Sequence, residues 1–354
     1  MTLSKAGWEA LTYATAAFGA ALAWSLNVPL AMIVGPVIAV SIVSQRLPKL
    51  RIARPLYALG LSVIGLALGQ YFTPDVLNTW GEITGTLALN TGITLVGVVF
   101  GFLLLHKAYG HDRKTAALGG LPGGVLTVIE MARASSADTT SILFFQVFRI
   151  ILGASVVPLG YSLAGFDVPA SGVRPTAEHV PPTAHDLALL CVGGLALMIV
   201  GRRLRVPSAE ISLPLVWSAT LYASGWVTMT IPVWAAGAAF VVVGGSVGAM
   251  LPNLSLRRLC LLVVQSLGLF ALLMCLALVA ALLAWTVFDI SLASAILAFS
   301  PASLTEMIAV AVALDLDPAL VAANNMYRML LCSLIAPLLP MAVMSFGRAK
   351  DRSA

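Results

Sequence analysis

The sequence predicts an all-α integral membrane protein made of two related halves of opposite topology. Three observations carry that expectation. Apolar residues make up 60% of the 354-residue chain and charged residues only 10%, against about 45–50% and about 25% in a soluble domain. The apolar residues form long continuous runs, unlike the ~10-residue alternation of a barrel strand. Finally, one separation, that of Arg328 from Arg149, also relates a series of other unusual residues in the second half to the first.

The runs lie at 8–26, 29–45, 54–72, 80–105, 115–133 and 139–165, then at 187–201, 208–224, 232–250, 258–287, 292–314 and 318–346. The polar stretch 166–186, with Asp167, Pro169, Pro175, Pro181 and Pro182, divides them. This gives a first membrane repeat at 1–165, an extracytoplasmic linker at 166–186, a second repeat at 187–346 and a cytoplasmic tail at 347–354. Val28-Pro29 and Gly35-Pro36 match Val206-Pro207 and Leu213-Pro214, with the prolines seven apart both times. From Gly65 and Gly69 onward, which match Gly244 and Gly248, the offset is constant. Leu121-Pro122-Gly123-Gly124 aligns with Ser300-Pro301-Ala302-Ser303, Asp138 with Asp317, Gln146 with Asn325, Arg149 with Arg328 and Pro158 with Pro337. Chance does not hold one offset through so many special residues, so the chain contains a duplication.

Orientation follows from Lys and Arg, which concentrate in cytoplasmic loops. Basic clusters lie at 46–54, 107–114, 202–205, 257–258 and 348–352, whereas loops 73–79, 166–186 and 225–231 hold only Arg174. All clusters fall on one side if 115–133 and 292–314 enter and turn back. Each repeat then has about five spanning helices plus one broken or re-entrant helix, ten spans in all, and five being odd, the repeats are inverted. The alternative is full crossing by both broken segments, with twelve spans and parallel repeats. The net charge of +5 fits this loop pattern better than a nucleic-acid partner. Cys191, Cys260, Cys275 and Cys332 lie singly in apolar runs and read as packing residues. No cofactor, metal, nucleotide-binding or nucleophile motif stands out.

Pro122, Gly123 and Gly124, like Pro301 and Ser303, interrupt helices where lipid tolerates broken backbone only inside protein or along a cavity. With Pro at the first turn, half-helices are expected over 122–133 and 301–314, their positive ends facing one another and attracting an anion. The bland reading is that small residues let helices touch. Arg149 and Arg328 lie among apolar neighbours, where a charge costs at least ~2.5–3.5 kcal/mol. Gln146, Asn325 and Asn324 precede them by three or four residues and share their helix face. An arginine beside an amide suits a carboxylate or phosphate. Glu130 and Glu306, with Thr127 and Thr305 near them, are the ion-coupling candidates. Glu130 and Glu306 could equally pair with Arg149 and Arg328 to neutralise buried charge. Asp138, Asp315 and Asp317 read as N-caps, and Glu210 as a partner of Arg203 or Arg205.

The repeated Pro-Gly-Gly, acid and Gln/Asn-x-x-Arg block, here Pro122-Gly123-Gly124 with Gln146 and Arg149, then Pro301 with Asn325 and Arg328, resembles the bacterial membrane AbrB family over nearly the whole chain. That family is distinct from the small DNA-binding protein of the same name. Its members carry the labels transcriptional regulator and ammonia monooxygenase, and it resembles distant cation–proton antiporters and anion transporters. The resemblance implies a multi-pass protein of the bacterial inner membrane with both termini cytoplasmic. The function expected is secondary transport of a small anionic or carboxylate solute coupled to protons or Na⁺. A membrane sensor affecting gene expression without transport is the alternative, and an ammonia monooxygenase the lesser one. Partners are the lipid bilayer, the solute and the coupling ion; a homodimer is one open state of assembly. Ala302 and Ser303 stand where the family pattern has glycines, and Thr127 where the second repeat has Glu306, so the two half-sites differ.

The re-entrant arrangement predicts that single cysteines at positions 134–138 are labelled by an impermeant thiol reagent only from the cytoplasmic side. Labelling of intact cells from outside would establish the twelve-span alternative.

Overall fold

A computed structural model describes residues 4–26, 28, 31–47, 50, 53–70, 72, 74, 80–123, 128, 131–132, 135–166, 181–204, 206, 209–250, 254–302, 304–336 and 338–339. The helices named there, numbered in chain order, are α1 (Lys5–Ser25), α2 (Ala31–Arg46), α3 (Arg54–Gly69), α4 (Trp80–Leu103), α5 (Arg113–Gly119), α6 (Thr139–Leu163), α7 (Ala184–Arg203), α8 (Ala209–Ala223), α9 (Val233–Ala249), α10 (Leu256–Phe288), α11 (Leu292–Phe299), α12 (Leu304–Ala313) and α13 (Pro318–Ile335). A π-helical turn, Leu104–Ala108, extends α4. Among the described residues, four stretches are long and apolar enough to cross a membrane: Ile83–Ala108, Thr139–Leu163, Ala184–Arg203 and Leu256–Phe288. Large apolar side chains on their outer faces, such as Leu163, Leu261, Leu282 and Trp285, are exposed, a surface suited to lipid and adverse in water.

Several helix starts in the second half recur at one separation from those in the first. Ser4 caps α1 by accepting from the Gly7 N–H (3.2 Å), and Thr183 caps α7 by accepting from Asp186 N–H (3.0 Å). Asp112 caps α5 and Ser291 caps α11. Asp138 and Asp317 cap α6 and α13, each accepting from the two N–H groups that follow. Each pair keeps the separation that relates Arg149 to Arg328. Capping satisfies helix N–H groups that otherwise lack partners, so the same device sets the same boundaries twice. Asp315 is not a cap: it sits in the left-handed region at φ 56°. Glu210 meets Arg202 (3.7 Å) rather than Arg203; Arg205 lies outside the described residues.

The first three helices of the two repeats pack together as one bundle, α1–α3 with α7–α9, and the remaining helices form a second; α2 against α6 and α3 against α12 join them. Within the first bundle the repeats trade partners, α3 lying on α8 and α9 on α2. At Gly65 a β-carbon would strike Ile211 O and Pro214, and at Gly244 one would strike Ile33 O and Pro36. The contacts are reciprocal, as in an isologous interface. They also explain why prolines and glycines recur together. Proline removes a helical N–H, leaving the carbonyl four residues earlier without its donor; for Pro214 this is Glu210 O, which accepts instead from Ser62 Oγ on α3 (2.8 Å).

The helix starts that flank each broken segment touch one another. Thr115, at the start of α5, accepts from Asp138 N–H at the start of α6 (2.8 Å). Ser294 at the start of α11 accepts likewise from Asp317 N–H (3.4 Å). Helices of 7, 8 and 10 residues (α5, α11, α12) reach roughly 10–15 Å at ~1.5 Å per residue, half or less of a ~30 Å hydrocarbon core. The helical half after the second break starts at Leu304, three residues beyond Pro301, so Pro301 is part of the break and not the first residue of the helix. Pro122 likewise lies in non-helical backbone.

Asp138 also receives Arg258 Nη2 of α10 (2.8 Å) and Ser141 Oγ (2.7 Å), and Lys114 Nζ holds Ser135 O beside it (2.9 Å). Burial pushes the Asp138 carboxyl up, but the hydroxyl and N–H of Ser141, Arg258 and the Thr140 N–H together bring it below its ordinary value of 3.8. A depressed carboxyl contributes stability in full above its unfolded value and loses it as pH falls through the folded one. Unfolding of the purified protein in detergent will therefore show an Asp138-dependent loss of stability only below about pH 3.8. Asp138→Asn will flatten that part of the acid limb, and superimposable acid limbs would remove the role.

Candidate functional site

At each break the helix before it ends and its last carbonyls, with those of the non-helical residues, need donors. They cannot turn to water inside an apolar bundle. The arginines supply the donors. Arg149, buried on α6, places Nη1 on Leu121 O (3.3 Å) and Nη2 on Gly123 O (3.2 Å), and Gln146 Nε2 joins at Leu121 O (2.9 Å). On α13, Arg328 Nη1 reaches Phe299 O (3.1 Å) and Ser300 O, and Nη2 reaches Ala302 O (3.0 Å). Asn325 accepts from Arg328 Nη2 (2.7 Å) and gives its own N–H groups to Leu297 O, Ala298 O and Val321 O. Leu121 and Gly123 correspond to Ser300 and Ala302, so the clamp is the same in both repeats. Among the described residues, the hydrogen-bond partners of both guanidinium groups are thus carbonyls and one amide.

One turn beyond each arginine the helix crosses the opposite break. A β-carbon on Gly153 would overlap Ala302, and one on Gly123 would press on Cys332. These contacts are again related by the repeat: Gly153 corresponds to Cys332 and Gly123 to Ala302. Each arginine helix therefore clamps its own break and covers the other. The breaks meet: Pro122 and Pro301 line one crevice, with Arg328, Asn90 and Thr94 in its wall. Glu306 is buried in the first turn of α12, and its charge and that of Arg328 act on Arg149. Three buried polar atoms around the breaks, Gln146 Oε1, Arg149 Nε and Ser300 Oγ, have no hydrogen-bond partner among the described residues.

The structure thus gathers Pro122, Gly123, Gln146, Arg149, Pro301, Asn325 and Arg328. Asn324 faces α4 instead, donating to Thr86 Oγ1 (3.0 Å) while Asn90 Nδ2 donates to its main-chain and side-chain oxygens (2.9 and 3.2 Å). Gly124, Thr127, Glu130 and Ser303 lie outside the described residues, as does the side chain of Thr305. Sequence reasoning overlooked Thr86, Asn90 and Thr94. Their signal was present as polar residues four apart on a mostly apolar helix, which puts them on one face.

Long apolar helices surrounding two arginine-clamped helix breaks define a helical membrane protein with discontinuous helices. The family model described as "Transition state regulatory protein AbrB" matches residues 32–344, and the chain belongs to this AbrB family. It is similar to the protein named "Putative regulator AbrB" of Escherichia coli (strain K12), with 27% identity over 342 residues, 93% of this chain and 94% of that one.

Orphaning a buried carbonyl costs roughly 1–3 kcal/mol. Arg149→Leu and Arg328→Leu will each destabilise the folded protein by at least that much in detergent denaturation, with Lys substitutions recovering only part because a single ammonium lacks the planar fork. Wild-type stability in the Leu variants would overturn the clamp.

Proposed function

We propose that the protein is a secondary transporter of the bacterial inner membrane that moves a small anionic solute, a carboxylate, coupled to protons or Na⁺. The meeting of the two helix breaks in one arginine-walled crevice carries this reading. Broken backbone inside an apolar bundle is a recurring way to build a solute site at the midplane. Both guanidinium groups keep their charge while their hydrogens hold carbonyls, so the crevice lies in a positive field that favours an anion. Unpartnered Gln146 Oε1, Arg149 Nε and Ser300 Oγ are polar groups that a bound solute or its water satisfies. Glu306, buried on α12, is the coupling carboxylate in this reading. Thr305, Glu130 and Thr127 complete the ion pathway on the residue pattern alone.

The bonds Thr115–Asp138 and Ser294–Asp317 support re-entrant segments, hence five crossings per repeat. Reciprocal contacts between the repeats support a two-fold relation. Five crossings and a two-fold give inverted repeats, with the basic loops and both termini in the cytoplasm. Alternating access is then a relative movement of the two bundles about the crevice.

The name of the Escherichia coli relative favours a second reading, a membrane regulator in which the same crevice senses its solute. Flux separates the two. In proteoliposomes screened with small carboxylates under imposed proton or Na⁺ gradients, the wild-type protein will accumulate a solute, and Glu306→Gln will reduce gradient-driven uptake at least tenfold while leaving binding. Specific binding with no flux under any gradient would overturn transport and establish the sensor.

A further inference from the structure

The two breaks are clamped alike, but the helices that cross them are not. Over the second break passes α4, carrying Thr86, Asn90 and Thr94 at four-residue spacing, all buried. Their counterparts in the second repeat, along α10, are Gln265, Leu269 and Leu273, and the counterpart of Asn324 in the first is Phe145. The corresponding helix thus packs with leucine at two of these three places, where Asn90 and Thr94 stand on α4, and keeps a buried amide, Gln265, at the third, so Asn90 and Thr94 are not demanded by the fold. Burying amides and hydroxyls in an apolar bundle is unfavourable unless each is satisfied.

The stripe is a directional chain of hydrogen bonds. Asn324 donates to Thr86, Asn90 donates to Asn324, and Thr94 Oγ1 donates to Asn90 Oδ1 (3.2 Å). It ends in the crevice, whose wall contains Asn90 and Thr94 beside Arg328, with Leu273 opposite in character. At that end Thr94 has given its only proton to Asn90, and its oxygen accepts from no described residue. A threonine hydroxyl has two acceptor lone pairs and an amide oxygen likewise two, of which Asn90 uses one on Thr94. The wall thus offers acceptors, which match a donor on the solute. A neutral donor is favoured over an ammonium because Arg149 and Arg328 already place two positive charges at the breaks.

We propose that Asn90 and Thr94 are specificity-determining residues that read a hydroxyl on the solute, so that the site takes small hydroxycarboxylates in preference to the matching alkyl and keto acids. This rests on the crevice being a carboxylate site, and the test separates the two. Matched acids are compared by ligand-induced thermal shift on the purified full-length protein: malate with succinate and oxaloacetate, lactate with propionate and pyruvate. A ligand that binds only the folded state raises apparent stability by RT ln(1 + L/Kd), L being its free concentration, so at one concentration the tighter ligand gives the larger shift. One hydrogen bond of about 1.4 kcal/mol corresponds to tenfold in affinity. The hydroxy acid of at least one set will bind about tenfold more tightly than its alkyl and keto partners. Thr94→Val, near-isosteric and at the end of the chain, will bring the hydroxy acid down to the level of the alkyl acid without weakening the latter; Thr94→Ser will restore the preference. Asn90→Leu will act in the same direction. Carboxylates that bind equally well with and without a hydroxyl, or a preference that survives Thr94→Val, would overturn the inference and leave the carboxylate site standing. Failure of every carboxylate to shift the wild-type protein would overturn both.

Discussion

Unwound backbone in an apolar interior needs donors for its carbonyls, and this requirement organises the protein. Two segments break, at Pro122 with its glycines and at Pro301 with Ala302 and Ser303, and the carbonyls exposed there find no water. Arg149 and Arg328 meet the need with planar, permanently charged groups whose hydrogens spread over two or three carbonyls at once. A carbonyl cluster is a partial negative charge, so the arrangement also gives the guanidinium a partner other than a carboxylate. The usual expectation that buried arginines require acidic neighbours is thereby relaxed, and Glu306 need not serve as a counter-ion to Arg328.

The requirement propagates outward. An arginine can reach its own break only if the short helix, the break and the returning chain are held at fixed depth, which the Thr115–Asp138 and Ser294–Asp317 bonds do. The breaks can meet only if the arginine helices pass close to one another's breaks, which Gly153 against Ala302 and Gly123 against Cys332 permit. The bundle of α1–α3 and α7–α9 solves a parallel problem. Glycines on α3 and α9 lie against backbone near prolines of α8 and α2, and Ser62 serves a carbonyl that Pro214 leaves without its donor.

The helices, their breaks and most of their caps were legible in the sequence because they rest on residues whose physics is local. Apolar runs mark helices, a proline among small residues marks each break, and aspartates before helices mark caps; most of these signals occur in both halves. The sequence pattern also put Gln146 with Arg149 and Asn325 with Arg328. It could not show that the arginines face carbonyls, since a backbone oxygen has no letter in a sequence. Asn324 was misplaced for a related reason: four-residue spacing puts it near Arg328 on the helix, but the partner that turns it away, Asn90, lies 234 residues distant. Pro301 was expected to open a helix, yet Arg328 holds the carbonyls of Ser300 and Ala302 on either side of it in non-helical backbone.

The exchange of partners between repeats has a consequence for synthesis. As the chain leaves the ribosome, α1–α3 are made first, but the glycine face of α3 has no partner until α8 follows, well into the second repeat. The bond from Ser218 Oγ to Leu66 O, which helps to close that seam, joins positions 152 apart in the chain. The first half can close α1 on α2, where Gly19 meets Gly35, but the seam of α3 stays open until the second half is made, and the second half completes the first as much as itself. Structure of this kind assembles like an obligate dimer whose two subunits happen to be joined, and a lesion in either half is felt in both.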